Sequence, residues 1–167
     1  RTLDAKGEIF SEILITPRNA PLRFSDGSSS DEHHAIIGMG ILREGFPLLF
    51  DGMNEVGLAV AALNFPTYSY YFPPRTPFRN IASYELITRI LSSCGEVSDA
   101  EKTLSDAVVT DTPFSDELCP TPLHWIIADK NRAITVEQTK DGLNIFDNTP
   151  GVMTNSPVFP YHLLRVA

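Results

Sequence analysis

The chain has 167 residues, of which 43% are hydrophobic, and its formal net charge is −8 at pH 7. Nucleic-acid binding needs clustered lysine and arginine, and this acidic sequence has no basic run, so that class of partner is not expected. No stretch of 18 apolar residues occurs, so no membrane span is predicted, and the length suits one domain with a hydrophobic core.

Alternating apolar and β-branched residues predict strands in the first third of the chain. EIFSEILIT at 8–16 has this pattern, and HAIIGMGIL at 34–42 predicts a second strand. Gly38 and Gly40 fall on one face of that strand, which suggests close approach by another layer.

A hairpin and a long loop follow. PLLFDG at 47–52 and LAVAALNF at 58–65 flank MNEVG, a spacing that suits a hairpin with a glycine-assisted turn. Residues 66–78 are rich in proline and tyrosine and exclude a regular helix or central strand. A loop of this length with several aromatic residues is expected to pack on another part of the protein.

The middle of the chain predicts helices. Asn80 is the expected N-cap of a helix that ends at Gly95. The SDAE sequence at 98–101 predicts a capping box for a second, shorter helix. Residues 110–122 form a second predicted loop.

The last third predicts a meander of three strands, LHWIIAD, AITVEQT and LNIFDN, separated by the turns KNR and KDG. VMTNSP at 152–157 is a further short predicted strand, and the terminal LLRVA is helix-like. Strands, helices and strands again in separate blocks indicate an α+β architecture, with an antiparallel sheet and helices packed on one side.

Four polar residues are candidates for chemistry. Asn64 and Asn155 lie at predicted strand ends shortly before a proline, where asparagine either serves turn chemistry or aims a polar group at a ligand. Arg1 and Asp4 are three residues apart and could form a solvated ion pair.

The cysteines and histidines give no metal signal. Cys94 and Cys119 form no CxxC pair and are both expected to be buried thiols. The histidines have no metal-ligand spacing, so no metal site is predicted. His124 is expected to be a hydrogen-bonded core residue, whereas His33 and His34 are expected at the polar surface.

Eight stretches, in order along nearly the whole chain, carry a family resemblance. They are RTLD at 1–4, ITPRN at 15–19, FDGMNEVGLAVAALNFP at 50–66, NIASYELI at 80–87, PFSDEL at 113–118, PLHWIIADK at 122–130, VEQTKDGLNIFDN at 136–148 and GVMTNSP at 151–157. In these the chain resembles the choloylglycine hydrolase family, which includes conjugated bile salt hydrolases and penicillin V acylases.

The resemblance implies the N-terminal nucleophile hydrolase fold, an αββα sandwich of two stacked antiparallel sheets between helix layers. The family's nucleophile is a cysteine exposed as the first residue after processing, and neither cysteine of this chain matches it. Residues 1–167 are accordingly expected to be part of a single domain, without its nucleophile segment and C-terminal half.

The resemblance also implies roles for the candidate polar residues. Asn64, through its backbone N–H, and Asn155, through its side-chain amide, would stabilise the tetrahedral oxyanion. Arg1 would lie beside the nucleophilic thiol and favour its thiolate. Asp4 would orient the terminal amine that acts as the base.

Substrate contacts are implied at Leu3, Asn64 and Phe65, and the loops at 66–78 and 110–122 could wall an apolar cleft. The expected reaction is hydrolysis of the amide between a bile acid and glycine or taurine, without a cofactor. The alternatives are a penicillin V or N-acyl homoserine lactone acylase and, in another class, a non-catalytic binding domain. The family tends to tetramers, so a homo-oligomer in the bacterial cytoplasm is expected.

Overall fold

A single large sheet organises the chain in the computed structural model, which describes residues 11–166. That range holds eleven strands and three helices. The strands are β1 Glu12–Thr16, β2 Leu22–Arg23, β3 Ser29–Ser30, β4 Ile36–Arg43, β5 Phe46–Asn54, β6 Ala59–Asn64, β7 Arg79–Ala82, β8 Ala107–Thr110, β9 Leu123–Ala128, β10 Ala133–Thr139 and β11 Gly142–Asp147. The helices are α1 Leu86–Ser93, α2 Val97–Leu104 and α3 Phe159–Val166.

Seven strands form the main sheet in the order β1-β4-β5-β6-β9-β10-β11. All neighbours in it are antiparallel, which confirms the predicted β5–β6 hairpin and the β9–β10–β11 meander. The two halves of the chain meet where β6 pairs with β9, and Asn64 there lies opposite Leu123.

Helices α1 and α2 cover one face of this sheet and enclose the core with it. Leu58 from the turn before β6, Trp125 from the sheet and Ile90 from α1 are all fully buried in that core. Full burial of a large apolar side chain contributes about 1.5–3 kcal/mol, so this helix-covered face supplies much of the stability. Helices α1 and α2 lie on one side of the antiparallel sheet, as predicted, whereas α3 begins on the other face, where the Phe159 N–H bonds Glu137.

The opposite face of the sheet carries exposed apolar side chains. Ile13 lies opposite Met39 and Ile15 opposite Ile37, so all four point to the same side. Their exposed fractions range from 41% for Met39 to 73% for Ile13. An apolar groove of about 400 Å³ runs across this face over β4, β5, β6 and β9.

The predicted start of the first helix was wrong. Asn80 lies in β7, which pairs in parallel with β8, and its side-chain oxygen accepts the Arg75 N–H at 2.9 Å. The N-cap of α1 is Glu85, and the helix ends before Cys94. Strand pairing with a distant segment therefore overrides the local preference of asparagine for a helix N-cap, and that pairing is not visible in the local sequence.

Two other local predictions also failed. The capping box of α2 is formed by Glu96 and Asp99 rather than by residues 98 and 101. The stretch 152–157 is irregular rather than a strand. It has no ladder partner among the described residues and leads directly into α3.

Close packing requires glycine at positions 38 and 40, and the close neighbour is the adjacent strand of the same sheet. A Cβ at Gly38 would lie 2.3 Å from the Asp51 carbonyl oxygen, and one at Gly40 would lie 2.2 Å from that of Leu48. Both contacts flank the register shift between β4 and β5 at Met39 and Gly40. The expected close approach therefore comes from the neighbouring strand at a bulge, not from another layer.

The cysteine and histidine predictions had mixed outcomes. Cys94 is buried as predicted, but Cys119 is exposed, because it lies in the long loop before β9. His33 is also buried, with its ring nitrogens bonded to the carbonyl oxygens of Ala20 and His34, so the surface assignment was wrong for it. His124 is fully buried and hydrogen-bonded, as predicted.

Candidate active site

Asn64 lies at the point where β6 leaves the sheet. It is the last residue of the strand and is partly buried. The next residue, Phe65, donates its backbone N–H to the Pro122 carbonyl at 2.9 Å, which extends the pairing with β9 by one bond. Beyond it Pro66 opens a turn, closed by the Ser69 N–H on the Phe65 carbonyl at 3.2 Å. The strand therefore ends in a fixed position.

Asn155 lies in the irregular segment before α3. His162, one turn into that helix, has its Nε2 3.2 Å from the Asn155 carbonyl oxygen and 3.0 Å from that of Pro157. The Thr154 hydroxyl donates to the same Asn155 carbonyl at 3.2 Å. The backbone around Asn155 is thus tied to the first turns of α3.

A direct hydrogen bond joins these two segments. The Ser156 hydroxyl donates to the Pro66 carbonyl oxygen at 3.0 Å, across 90 residues of sequence. Ser156 follows Asn155, and Pro66 is two residues after Asn64. The structure therefore brings the strand end at Asn64 and the turn at Asn155 to one place.

A buried histidine–glutamate pair lies beneath this junction, on the sheet face opposite α1 and α2. The Oε1 of Glu137 on β10 lies 3.1 Å from Nδ1 of His124 on β9. The same oxygen accepts the backbone N–H of Phe159 at 2.9 Å.

Aromatic stacking connects that pair to the strand end. The Phe65 ring lies parallel to the His124 ring, with centroids 4.3 Å apart and an interplanar angle of 7°. Tyr68 stacks on the outer side of Phe65 at 5.5 Å. Phe65 is 0% exposed. A ring with no exposed surface does not contact a ligand in this conformation, which argues against direct substrate binding by Phe65.

An aromatic cavity of about 310 Å³ opens at the same end of the sheet. Since β5 and β6 are antiparallel, β5 begins where β6 finishes. The cavity is lined there by Phe24, Phe46, Tyr84 and Phe114. Burial, followed by the nearby Glu85 charge, raises the pKa of Tyr84, so its phenol remains a neutral hydrogen-bond donor at physiological pH.

The two predicted substrate loops take different positions. Loop 110–122 contributes Phe114 to the aromatic cavity. Loop 66–78 is anchored on β9, because the Tyr71 hydroxyl donates to the Thr121 carbonyl at 2.9 Å and accepts the Leu123 N–H at 2.8 Å. Burial raises the pKa of Tyr71, so the phenol keeps the proton that it donates. Both loops therefore border the region of Asn64.

The remaining predicted site residues, Arg1, Leu3 and Asp4, lie outside the described residues. Within residues 11–166 no group of three or more His, Cys, Asp or Glu side chains could hold a metal ion. The three described helices have eight residues each, too few to span a bilayer.

Glu137 was not identified from the sequence. Its partner His124 is 13 residues away, so the pair exists only through strand register. A signal was present, because an acidic residue in an otherwise apolar strand such as AITVEQT needs a buried donor nearby.

Comparison with known proteins supports the resemblance along the whole chain. Residues 1–166 match the family model of linear amide C–N hydrolases, the choloylglycine hydrolase family. A bile salt hydrolase/transferase of Lactiplantibacillus plantarum is 40% identical over 154 residues, which is 92% of this chain and 48% of the relative.

Solved structures agree with the fold. A crystal structure of a variant of conjugated bile acid hydrolase from Clostridium perfringens matches with a TM-score of 0.92 and 35% identity, over 98% of this chain and 51% of the other. Penicillin V acylase from Agrobacterium tumefaciens matches with a TM-score of 0.78 and 20% identity, over 98% and 50%. These neighbours confirm the predicted fold class.

The chain spans about half the length of these relatives. Within that span, the family model, the relative and the solved structures agree along nearly all of the sequence. The chain belongs to the choloylglycine hydrolase family of linear amide C–N hydrolases.

Proposed function

We propose that the protein that carries this chain is a conjugated bile salt hydrolase, which cleaves the amide bond between a bile acid and glycine or taurine. The observation that carries the proposal is the junction of the Asn64 and Asn155 segments through the Ser156–Pro66 hydrogen bond. Two hydrogen-bond donors on facing segments are what a tetrahedral oxyanion requires. The names of the relatives from Lactiplantibacillus plantarum and Clostridium perfringens support the substrate class.

In the proposed mechanism the nucleophile is the N-terminal cysteine of the family, ahead of Arg1. A free α-amino group has a pKa of about 7.7–8.0, so it can take the thiol proton near neutral pH. The thiolate adds to the amide carbonyl, and the tetrahedral intermediate collapses to a thioester. The leaving amine of glycine or taurine takes the proton back. Water then hydrolyses the thioester, which releases the bile acid and restores the thiol.

The chain's own residues take supporting roles in this scheme. The Asn64 backbone N–H and the Asn155 side-chain amide donate to the oxyanion. The Arg1 cation favours the thiolate, and Asp4 accepts hydrogen bonds from the terminal amine. Leu3 offers an apolar contact to the substrate.

The aromatic cavity is the proposed site for part of the steroid skeleton. Four aromatic side chains, Phe24, Phe46, Tyr84 and Phe114, line it beside the polar Arg23, Ser25 and Glu44. The aromatic part of this lining suits a fused hydrocarbon ring system. The net charge of −8 gives no long-range attraction for an anionic bile salt, so recognition would depend on these local contacts.

We further propose that residues 1–167 are one part of a single N-terminal nucleophile hydrolase domain, which a second segment completes. The open apolar face of the sheet supports this, because a second sheet stacked there would bury it. A homo-oligomer in the bacterial cytoplasm is proposed from the bacterial origin of the relatives and the habits of the family.

The test is a substrate comparison with the purified full-length protein. Glycocholate and taurocholate are incubated in parallel with penicillin V and an N-acyl homoserine lactone. Released glycine or taurine is expected, at a kcat/KM well above that for the acylase substrates. Preferential release of phenoxyacetate or an acyl chain would favour the acylase alternative. A folded protein that turns over none of these substrates, but binds conjugated bile acid, would be a binding domain.

A further inference from the structure

We propose that Glu137 is a positioning residue for the hydrolase site. One oxygen of its carboxylate is linked, through His124 and through the start of α3, to the two segments that carry the proposed oxyanion donors. This inference rests on the proposed function for its catalytic consequence, but the structural coupling that it describes can be measured without any substrate.

The surroundings of Glu137 are unusual for a carboxylate. The residue is 1% exposed, and its Oε1 is shared by His124 Nδ1 at 3.1 Å and the Phe159 backbone N–H at 2.9 Å. Burial of a charge costs several kcal/mol unless donors compensate for it. A buried apolar residue would pack against α3 without that cost, so the carboxylate is explained by the two donors that it joins.

One arm of this arrangement leads to Asn64. His124 is 0% exposed, and the bond from its Nδ1 to Glu137 fixes the plane of its ring. Phe65 stacks on that plane at 4.3 Å and 7°. Because Phe65 directly follows Asn64, rotation of the His124 ring would displace the backbone at the end of β6.

The other arm leads to Asn155. Phe159 is the first residue of α3, and its N–H is one of the helix N-terminal donors that no intrahelical carbonyl can accept. Glu137 satisfies it and sets the position of the helix start. His162 on the same helix lies 3.2 Å from the Asn155 carbonyl oxygen. A shift of α3 would therefore carry the Asn155 backbone with it.

The placement of both donors matters because oxyanion stabilisation depends on distance. The donors must lie about 2.7–3.1 Å from the position of the developing oxyanion. A misplacement of about 1 Å, caused by a residue that does not touch the substrate, can slow the reaction roughly 100-fold. Glu137 is placed to set the separation of the two donors without contacting the substrate itself.

Two substitutions and a matched control test the proposal in the full-length protein. Glu137→Leu removes the shared acceptor, whereas Glu137→Gln keeps one acceptor oxygen. The control is Gln138→Leu, since Gln138 is also fully buried on β10 but lies on the other face, where it accepts the N–H of Val109 on β8 at 3.0 Å. The control loses the side-chain hydrogen bonds of Gln138 with Val109 and Thr139, neither of which lies in the Asn64 or Asn155 segment.

Hydrogen–deuterium exchange gives the substrate-free readout. Glu137→Leu is expected to speed amide exchange in both residues 63–66 and residues 153–160, whereas Gln138→Leu speeds it in neither. Glu137→Gln should lie between wild type and Glu137→Leu. Unchanged exchange in either segment of a folded Glu137→Leu variant would overturn the coupling.

Steady-state kinetics on taurocholate give the second readout. For Glu137→Leu we expect kcat to fall about 10- to 100-fold with KM within about threefold, because the loss is in the transition state. Gln138→Leu should keep its kcat per folded molecule. A kcat unchanged by Glu137→Leu, or lowered equally by the control, would overturn the positioning role.

If Glu137→Leu does not fold, His124→Phe is the variant that tests the coupling. The substituted ring can still stack on Phe65, but it loses the bond to Glu137, while the Phe159 N–H bond remains. Exchange should then rise in residues 63–66 and stay unchanged in residues 153–160. If wild type has no amidase activity, the proposed function fails, and the exchange pattern alone decides the coupling.

Discussion

The two strands of the β5–β6 hairpin each end on an asparagine, and the two residues have different surroundings. Asn54 at the end of β5 is 3% exposed. Its Nδ2 donates to the carbonyl oxygens of Leu91 and Cys94 at 2.9 and 2.8 Å, and its Oδ1 accepts the Leu58 N–H at 3.0 Å. It therefore closes the turn and also satisfies carbonyls at the end of α1.

Asn64 at the end of β6 is partly exposed, beside the segment of Asn155 and close to the aromatic-lined end of the sheet. The comparison shows that an asparagine at a strand end is not in itself a site signal. Burial among backbone partners marks turn chemistry, as at Asn54. Convergence with a second polar segment at the surface marks candidate chemistry, as at Asn64.

The largest expected effect is on catalysis, at the segment of Asn155 that meets Asn64. Asn155→Ala removes an oxyanion donor, so kcat should fall about 100-fold or more, while the melting temperature changes little. Steady-state kinetics on taurocholate, with a thermal melt of the same sample, measure both. Near-normal turnover would remove Asn155 from the proposed role.

The second-largest expected effect is on folding stability, at Asn54. Asn54→Ala removes three buried hydrogen bonds, so the free energy of unfolding should fall by about 2–3 kcal/mol, at roughly 1 kcal/mol per bond. Urea unfolding measures this loss. The kcat of the folded fraction should stay at the wild-type value, and a fall parallel to that of Asn155→Ala would contradict the structural assignment.

A smaller effect tests whether Asn64 acts through its backbone N–H or through its side chain. If its backbone N–H is the donor, Asn64→Ala keeps that donor, and kcat should fall less than about 10-fold, well short of the loss from an absent donor. The two alanine variants are compared under identical conditions. Equal losses for Asn64→Ala and Asn155→Ala would show that the Asn64 side chain acts directly.

The smallest effect concerns the ion pair next to Asn54. The hydrogen bond from the Arg18 side chain, with a further one from the Ala35 N–H, lowers the pKa of Glu55 from 4.5 to about 2. Because the folded pKa is the lower one, the stabilisation is complete above about pH 4.5 and is lost as the pH falls toward 2. Glu55→Gln should lower the melting temperature slightly at pH 7 and less at pH 3, and added salt should shrink the difference. A melting-temperature difference that grows as the pH falls would contradict this pH dependence.

The sequence predicted most of the sheet, because alternation of apolar residues is a local signal. It placed the β5–β6 hairpin and the last three strands, but it misplaced the first helix. Asn80 has the local chemistry of a helix cap, whereas its pairing with Val108 depends on a segment 28 residues away. Long-range pairing of this kind overrides local propensity and cannot be seen in one short window.

The candidate site was likewise predicted only in part. Asn64 and Asn155 were predicted through the family resemblance, and the structure brings their segments together. Phe65 was assigned to the substrate, but the structure buries it on His124. Glu137 was missed, because its importance lies in contacts with two distant segments rather than in any motif.

The exposed apolar face has a consequence for handling the protein. Strand β1 lies at the edge of the described sheet, with Ile13 and Ile15 73% and 69% exposed. An exposed apolar strand at the edge of a sheet is a template for self-association when the chain is produced alone. The net charge of −8 keeps separate copies apart, but only over about 10 Å at 0.1 M salt. Colloidal stability should therefore fall as ionic strength rises, and dilute low-salt buffer is the solvent in which this polypeptide stays dispersed.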